Sequence, residues 1–262
     1  MASKNQDASA ARANAKAKAQ QQVKAKERRT TVIIIAVSLV VIAAFAGIVY
    51  FIVNSANVPP LAEAGGPAIA DETGGIAVGS GGVAGVDVPT DAVRVDVYLD
   101  LMCPVCNQFE QINGEDLNAL REAGTIQMVY HPISILDRYS AGTKYSTRAA
   151  NALAVVADKS PEQFLGFLDA LYANQPAENT TGLDDATIAA LAIGAGVPSD
   201  VAETFADGEF TKWVAAATQQ ASADGMQGTP TVMVDREILD QNQVPYFQEG
   251  ALKSFLEEQA SA

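Results

Sequence analysis

The stretch Val93-Arg94-Val95-Asp96-Val97-Tyr98-Leu99-Asp100 runs, two residues later, into Cys103-Pro104-Val105-Cys106. Its first part alternates in polarity and is rich in β-branched residues, so it predicts a strand. Residues 107–123 have a helical pattern that ends at Gly124. The sequence therefore predicts that a strand delivers two cysteines to the N-terminus of a helix. The free N–H groups and the positive dipole end at such a position favour a thiolate on the first cysteine.

These two cysteines are the only ones among the 262 residues, and three kinds of site compete for them. A structural zinc site needs four ligands, whereas the chain adds one histidine, His131, to the pair. A purely structural disulfide would close a very small loop, which places its gain in chain entropy at the low end. A redox-active dithiol fits the Cys-x-x-Cys spacing at a helix start, and we favour it. No metal and no organic cofactor is predicted.

His131 raises a further alternative, a cysteine hydrolase in which this histidine would be the base for Cys103. However, it lies at the end of a predicted strand, directly before Pro132. A hydrolase also has no need of a second cysteine two residues away from the first. We therefore favour a structural role for this histidine.

Charge is distributed unevenly along the chain. Residues 1–31 carry eight Lys and Arg against two acids, which leaves a net charge of −20 on the rest because the total is −14. An acidic protein of this kind is a poor nucleic-acid binder. Residues 32–53 contain no charged side chain. As a helix they would be about 33 Å long, enough to cross a bilayer core, so we expect one transmembrane helix there.

The basic tail 1–31 directly precedes this apolar segment. After the segment, the first charged residues along the chain are acidic. The positive-inside rule therefore predicts a cytoplasmic N-terminus, with the rest of the chain held outside the cell membrane by a single span of the lipid bilayer. A cleavable signal peptide is the alternative. Its apolar core would be unusually long, and Val53-Asn54-Ser55-Ala56 is a poor cleavage site. We favour the uncleaved anchor.

The residues after the apolar segment divide into a linker and a domain. Residues 54–74 contain three prolines and three glycines, a composition that predicts a flexible linker. The domain, 75–262, shows a β-α-β pattern, a helical block at about 141–223, a pair of strands and a last helix from about 247. This order predicts an α/β thioredoxin fold with an inserted helical domain.

This domain resembles the DsbA-like family of exported thioredoxin-fold disulfide oxidoreductases. Three segments carry the resemblance. They are 97–100 leading into Cys103-Pro104-Val105-Cys106, then 146–152 in the helical block, and Gly228-Thr229-Pro230-Thr231 before the late strand. The first and last motifs together, in this order and with helices between them, are far more specific than either motif alone.

The resemblance implies roles for four residues. Cys103 would be the exposed nucleophile that forms a mixed disulfide with a client protein, and Cys106 would be the more buried resolving thiol. Pro230 would be a cis-proline beside the sulfurs. The backbone of Thr229 would pair with the client as a short added strand.

Within the redox motif, we expect Pro104 and Val105 to support the site and to contact the substrate. Strong oxidases of the family carry a histidine at the position of Val105, which stabilises the thiolate and raises the potential. Valine has neither a donor nor a charge. The resemblance therefore implies a weaker oxidant than those relatives.

A second departure concerns the buried acid that many relatives carry six residues before the first cysteine. Val97 occupies that position here. Asp96 and Asp100 are the nearest carboxylates and are candidates for assisting proton transfer to Cys106. Strand alternation, however, predicts that both point to the face opposite Val97.

We therefore expect an extracytoplasmic thiol–disulfide oxidoreductase that acts as a dithiol oxidase on exported cysteine-containing proteins. As the family implies, a quinone-linked membrane oxidase would reoxidise it. Two alternatives remain open. One is a disulfide reductase or isomerase that uses the same residues, and the other is a non-enzymatic anchored protein-binding module with a static disulfide.

Overall fold

The computed structural model describes residues 58–261 of the chain. The predicted tail 1–31 and the predicted transmembrane helix 32–53 lie outside the described residues. Within 58–261, none of the helices has both the length and the apolar character that crossing a membrane requires.

A five-stranded sheet with strand order β1-β3-β2-β4-β5 organises the described residues. Strands β2 and β3 are parallel, and the other neighbours are antiparallel. Tyr98 near the end of β2 pairs with Thr231 at the start of β4. This register brings the segment before β4 next to the residues that follow β2. The strands are β1 (Ile76–Val78), β2 (Val93–Leu99), β3 (Ile126–Pro132), β4 (Thr231–Val234) and β5 (Glu237–Ile238).

Helix α1 (Pro104–Glu122) connects β2 to β3 and completes the predicted β-α-β unit. Pro104 is well suited to the first helical position, because its fixed φ fits a helix and its missing N–H would have had no partner in the helix. Gly124 has a φ of 71° and donates its N–H to the Arg121 carbonyl. Glycine adopts this left-handed conformation at little cost, which ends the helix and turns the chain into β3.

The inserted helical block lies between β3 and β4, and α2 is its centre. Eleven of the fifteen residues of α2 are buried, many of them alanines, so neighbouring helices can approach it closely. The block consists of α2 (Tyr145–Lys159), α3 (Phe164–Ala173), α4 (Asp185–Gly194), α5 (Ser199–Ala202) and α6 (Thr211–Ala223), and α7 (Ala251–Gln259) follows β5. The predicted α/β thioredoxin-like fold with inserted helices is confirmed for the described residues.

Strand β2 separates two apolar clusters, because alternate side chains of a strand point to opposite faces. Val95, Val97 and Leu99 lie in the main core, together with buried residues of α1 and α2. Tyr98 packs in a smaller cluster on the other face. The redox motif therefore follows the central, most enclosed strand of the sheet.

The prediction of a flexible linker is wrong for its described part, 58–74. Gly66 lies so close to the Trp213 indole that a Cβ on this glycine would be 2.3 Å from the ring. Asp71 forms an ion pair of 2.7 Å with Arg94 of β2. The prolines and glycines of this segment thus serve tight turns and close packing against the domain.

The last helix also begins later than the sequence pattern predicts, at Ala251 instead of near 247. The Phe247 ring packs edge-on against Phe109 of α1, with ring centroids 6.4 Å apart. Gly250, with a φ of 74°, then turns the chain into the helix. Tertiary packing of the aromatic residue therefore sets this boundary.

Candidate active site

The two cysteines lie at the start of α1, shortly after the end of β2. Cys103 is the N-cap residue of α1, and its carbonyl accepts hydrogen bonds from the N–H groups of Cys106 (3.1 Å) and Asn107 (3.3 Å). Cys103 is 5% exposed and Cys106 is 1% exposed. Both are free thiols in the structure, and the first of them is the more accessible.

The loop before β4 faces the Cys103 sulfur. The Thr229–Pro230 peptide bond is cis, the state that the resemblance implies. The Cys103 sulfur lies 3.3 Å from the Thr229 carbonyl oxygen, to which it donates when it is protonated. The register of β2 with β4 therefore unites two motifs that are 126 residues apart in the chain.

The environment lowers the pKa of Cys103 to about 6. The largest cause is a hydrogen bond from the Cys106 thiol. Burial opposes ionisation, whereas the Thr229 hydroxyl and the backbone N–H groups of Cys106 and Val105 favour it. A helix start that aims its free N–H groups at sulfur is a known route to a stabilised thiolate.

Cys106 differs from Cys103 because burial raises its pKa well above the ordinary value. The hydrogen bond to Cys103 and the negative charge on that sulfur raise it further. The pair thus combines a sulfur that ionises readily with an enclosed one that stays protonated. This division matches what a nucleophile and a resolving thiol require. Both residues are buried, so the expectation that Cys103 is exposed is wrong for this structure.

Pro104 and Val105 separate the two cysteines in the chain. Both side chains are exposed, and Val105 is 42% exposed despite being apolar. Val105 contributes its backbone N–H to the Cys103 sulfur, but its side chain carries no donor.

Asp100 lies at the site, although strand alternation predicted the face opposite Val97. The prediction is wrong for Asp100 because β2 ends at Leu99, and the residue after the strand is free to turn. Its carboxylate accepts from Ser146 of α2 (2.7 Å) and from the backbone N–H groups of Met102 and Leu136, both at 2.9 Å.

These three donors make Asp100 an anchor for the loop that leads into the redox motif. Burial raises the pKa of Asp100 to about 6 in spite of them, and the negative charge of Cys103 adds to the rise. Its backbone N–H also favours the thiolate of Cys106.

Asp96, the other carboxylate predicted as a helper, belongs to a different cluster. It accepts from the Arg94 guanidinium, and the His131 Nε2 lies 2.8 Å from its Oδ1. Burial raises the pKa of Asp96, but these hydrogen bonds outweigh it and lower the pKa overall. The His131 ring is buried and stacks on Tyr98 with ring centroids 4.0 Å apart, so its contacts are those of a structural histidine.

Three polar residues near the cysteines escaped the sequence analysis. Gln175, after α3, donates to the carbonyl of Cys103, and Asn107 of α1 contacts Gln175. Glu110 follows Cys106 by one helical turn, and burial raises its pKa to about 8, with the charge of Asp169 adding to the effect. No local pattern marks Gln175, whereas the i, i+4 spacing from Cys106 could have drawn attention to Glu110.

A groove of about 500 Å³ borders the cis-proline loop. Its lining includes Thr229, Pro230, Ile238 and Tyr246, and Ile238 is one of the exposed large apolar residues of the described chain. Within residues 58–261, no group of three or more His, Cys, Asp or Glu side chains is placed to hold a metal ion.

A family model described as Thioredoxin matches residues 89–253. No curated protein matches the sequence.

Several solved structures are similar to this chain. Reduced DsbA from Mycobacterium tuberculosis is 26% identical, with a TM-score of 0.54 over 71% of this chain and 99% of that chain. DsbG, a disulfide bond oxidoreductase from the same organism, is 27% identical, with a TM-score of 0.55 over 74% of this chain and 97% of that chain. MdbA, a thiol-disulfide oxidoreductase from Actinomyces oris, shares the fold, with 24% identity and a TM-score of 0.60 over 77% of this chain and 96% of that chain.

Proposed function

The chain belongs to the thioredoxin family, and on that basis we propose that it is a dithiol oxidase that introduces disulfides into exported proteins. Its resemblance to DsbA-like enzymes is confirmed by the two mycobacterial structures. The protein is a thiol–disulfide oxidoreductase of this type.

The observation that carries the proposal is the unequal placement of the two sulfurs, with Cys103 at the N-cap of α1 and Cys106 enclosed behind it, because this placement favours a thiolate on Cys103 only. With a pKa of about 6, Cys103 is about nine-tenths ionised at pH 7, which stabilises the reduced protein by about 1.4 kcal/mol relative to an ordinary thiol. For a two-electron couple this corresponds to about 30 mV. A stabilised reduced form makes the disulfide a stronger oxidant.

The reaction follows from this asymmetry. A client thiolate attacks the Cys103 sulfur of the oxidised protein, the bond between Cys103 and Cys106 breaks, and Cys106 leaves and takes up a proton. The second client thiolate then attacks the client sulfur of the mixed disulfide. Cys103 leaves as a thiolate, and two electrons have passed from client to enzyme. The low pKa of Cys103 speeds this last step because a thiol of low pKa is a good leaving group.

The loop before β4 supports client binding beside the reactive sulfur. The Thr229 carbonyl lies 3.3 Å from the Cys103 sulfur, so a client cysteine there places its backbone against this loop. A short antiparallel pairing to Thr229 would hold the client without reading its sequence. The groove beyond Pro230 offers room for the residues that flank the client cysteine.

We further propose that the protein is held outside the cell membrane by residues 32–53, with residues 1–31 in the cytoplasm. The charge-free length of the segment and the basic residues before it support this location. Each turnover leaves the enzyme as a dithiol, so an electron acceptor is required. A quinone-linked membrane oxidase is the proposed acceptor, because the anchor would keep the two enzymes in the same bilayer.

One observation favours a second candidate function, a reductase or isomerase. The exposed Val105 side chain adds no donor and no charge beside the Cys103 thiolate, so this side chain does not raise the potential. The equilibrium potential separates the two functions. A potential of about −120 mV indicates an oxidase, and a potential of about −270 mV indicates a reductase.

The test uses the full-length oxidised protein in detergent with a reduced peptide that contains two cysteines. We expect stoichiometric oxidation of the peptide, and no oxidation by the Cys103→Ser variant. In cells, Cys106→Ala should accumulate mixed disulfides between Cys103 and exported proteins. Equal peptide oxidation by wild type and Cys103→Ser would contradict the proposal, and an absence of mixed disulfides would favour a static binding module.

A further inference from the structure

The side chain of Gln175 lies against the backbone that carries the reactive cysteine. Its Nε2 donates to the Cys103 carbonyl at 2.9 Å and to the Leu101 carbonyl at 3.1 Å. Gln175 follows α3 of the helical block, whereas both carbonyls belong to the loop between β2 and α1. One amide group thus joins the inserted block to two carbonyls of the loop that presents the sulfur.

Asn107 of α1 fixes the orientation of this amide. Its Nδ2 donates to the Tyr172 carbonyl at 3.0 Å and to the Gln175 Oε1 at 3.3 Å. Carbonyl oxygens only accept, so Nε2 of Gln175 must face the loop and Oε1 must face Asn107. The amide group is therefore held in one orientation by contacts on both of its sides.

We propose that Gln175 is a positioning residue for the redox reaction, which holds the carbonyls of Leu101 and Cys103 so that the start of α1 stays aimed at the Cys103 sulfur. The inference rests on the proposed function in one respect, because it concerns the redox poise of the same cysteine pair. It assigns to the helical block a direct part in setting that poise.

The physical link is the peptide group between Cys103 and Pro104. The Cys103 carbonyl accepts from Cys106 N–H, from Asn107 N–H and from Gln175, so the helix holds it on one side and the helical block on the other. The N–H groups of Val105 and Cys106, which follow directly, favour the thiolate of Cys103. A peptide plane that is held in this way keeps these donors converged on the sulfur.

Loss of the amide has a second effect on the thiolate. The two carbonyl oxygens carry partial negative charge in the loop that leads to the sulfur. Donation from Gln175 offsets this charge, and without it the oxygens would disfavour a nearby anion. Both effects act in the same direction, so removing the donor should raise the pKa of Cys103 and weaken the protein as an oxidant.

The test is the thiolate titration of reduced full-length protein in detergent, followed by ultraviolet thiolate absorbance and by the pH dependence of Cys103 alkylation. In Gln175→Met, which keeps the length of the side chain but cannot donate, we expect the pKa of Cys103 to rise by about half a unit to one unit. The equilibrium constant against glutathione at pH 7 should then shift about three- to fivefold towards the disulfide form.

Asn174→Ala is the matched control. The Asn174 side chain, one residue before Gln175, is exposed and donates only within its own helix, to the Ala170 carbonyl. The pKa of Cys103 in this variant should therefore equal that of wild type. Asn107→Ala keeps the donor of Gln175 but frees its orientation, and we expect a smaller shift in the same direction. This variant also provides the measurement if Gln175→Met does not fold.

A merely structural role would lower the melting temperature of Gln175→Met and leave the pKa of Cys103 unchanged, and that result would overturn the inference. A raised pKa of Cys103 in Gln175→Glu but not in Gln175→Met would also overturn the inference. In that case the new negative charge of the glutamate would explain the shift without any positioning role. The titration needs no client and no reoxidase. An altered pKa therefore supports the inference even if the protein proves to be a reductase, and failure of the oxidase assay leaves the titration interpretable.

Discussion

The pH dependence of the redox potential tests the arrangement of the two sulfurs most directly. Reduction of the disulfide takes up two protons when both thiols end protonated, but one proton when Cys103 remains a thiolate. The pKa of Cys103 is lowered to about 6, and that of Cys106 is raised well above its ordinary value. Below about pH 6 the reaction should therefore consume two protons, and above it one.

The magnitude follows from the number of protons. Each proton changes the equilibrium constant tenfold per pH unit, which is about 30 mV for a two-electron couple. We expect the potential to fall by about 59 mV per pH unit below pH 6 and by about 30 mV per unit above it. The position of the break reports the titration of Cys103 together with that of the neighbouring Asp100 carboxyl, whose pKa is also raised to about 6 by burial and by the Cys103 charge.

Thr229→Val should move this break. The substitution removes the hydroxyl that favours the Cys103 thiolate but keeps the β-branched shape and the backbone carbonyl. A hydrogen bond to a charged group contributes about 1.5–3 kcal/mol, so the break should move up by about one to two pH units. At pH 7 the potential should fall by about 20–30 mV.

The assay equilibrates full-length protein in detergent with glutathione buffers from acidic to alkaline pH, followed by acid quenching and alkylation. Thr231→Val serves as the control, because Thr231 follows the same loop as the first residue of β4 and its hydroxyl donates to the Gly228 carbonyl at 2.7 Å. A single slope of about 59 mV per unit throughout, or an unmoved break in Thr229→Val, would refute the reasoning.

Three further predictions concern stability, each measured by urea unfolding of the full-length protein. Arg94→Met leaves the buried Asp96 carboxylate without its cation, and we expect a loss of about 3 kcal/mol at pH 7. Gly66→Ala places a Cβ 2.3 Å from the Trp213 indole and should cost about 1–3 kcal/mol, with a change in tryptophan fluorescence. Burial raises the pKa of Glu110 from 4.5 to about 8, so the native protein binds a proton that the unfolded chain has released, and wild-type stability should fall as pH rises through this window. Glu110→Gln should abolish that fall and be about 1–3 kcal/mol more stable at pH 8, and an unchanged profile would contradict the assignment.

The elements around the redox motif could be predicted because their signals are local. The alternation of β2, the proline at the start of α1 and the glycine after it act on neighbouring residues, and each is visible in a short window of sequence. The prediction that depended on composition alone was wrong for the described residues. The prolines and glycines of 58–74 suggested a linker, because composition does not reveal that Gly66 packs on Trp213.

The site residues also include some whose placement the sequence predicted correctly and one, Asp100, whose orientation it predicted wrongly. Cys103 and Cys106 stand out through their spacing, and the resemblance pointed to Thr229 and Pro230, all of which the structure brings together. Alternation failed at Asp100, because this rule holds only while the strand continues and β2 ends one residue earlier.

The amino-acid sequence by itself determined the order of the elements and the presence of two cysteines at a helix start, because hydrogen bonding within a helix and the pleat of a strand depend on near neighbours. Tertiary structure alone decided what surrounds the reactive sulfur. Gln175 reaches the Cys103 carbonyl across 72 residues of chain, and the pKa of each thiol depends on burial and on donors that the folded chain assembles.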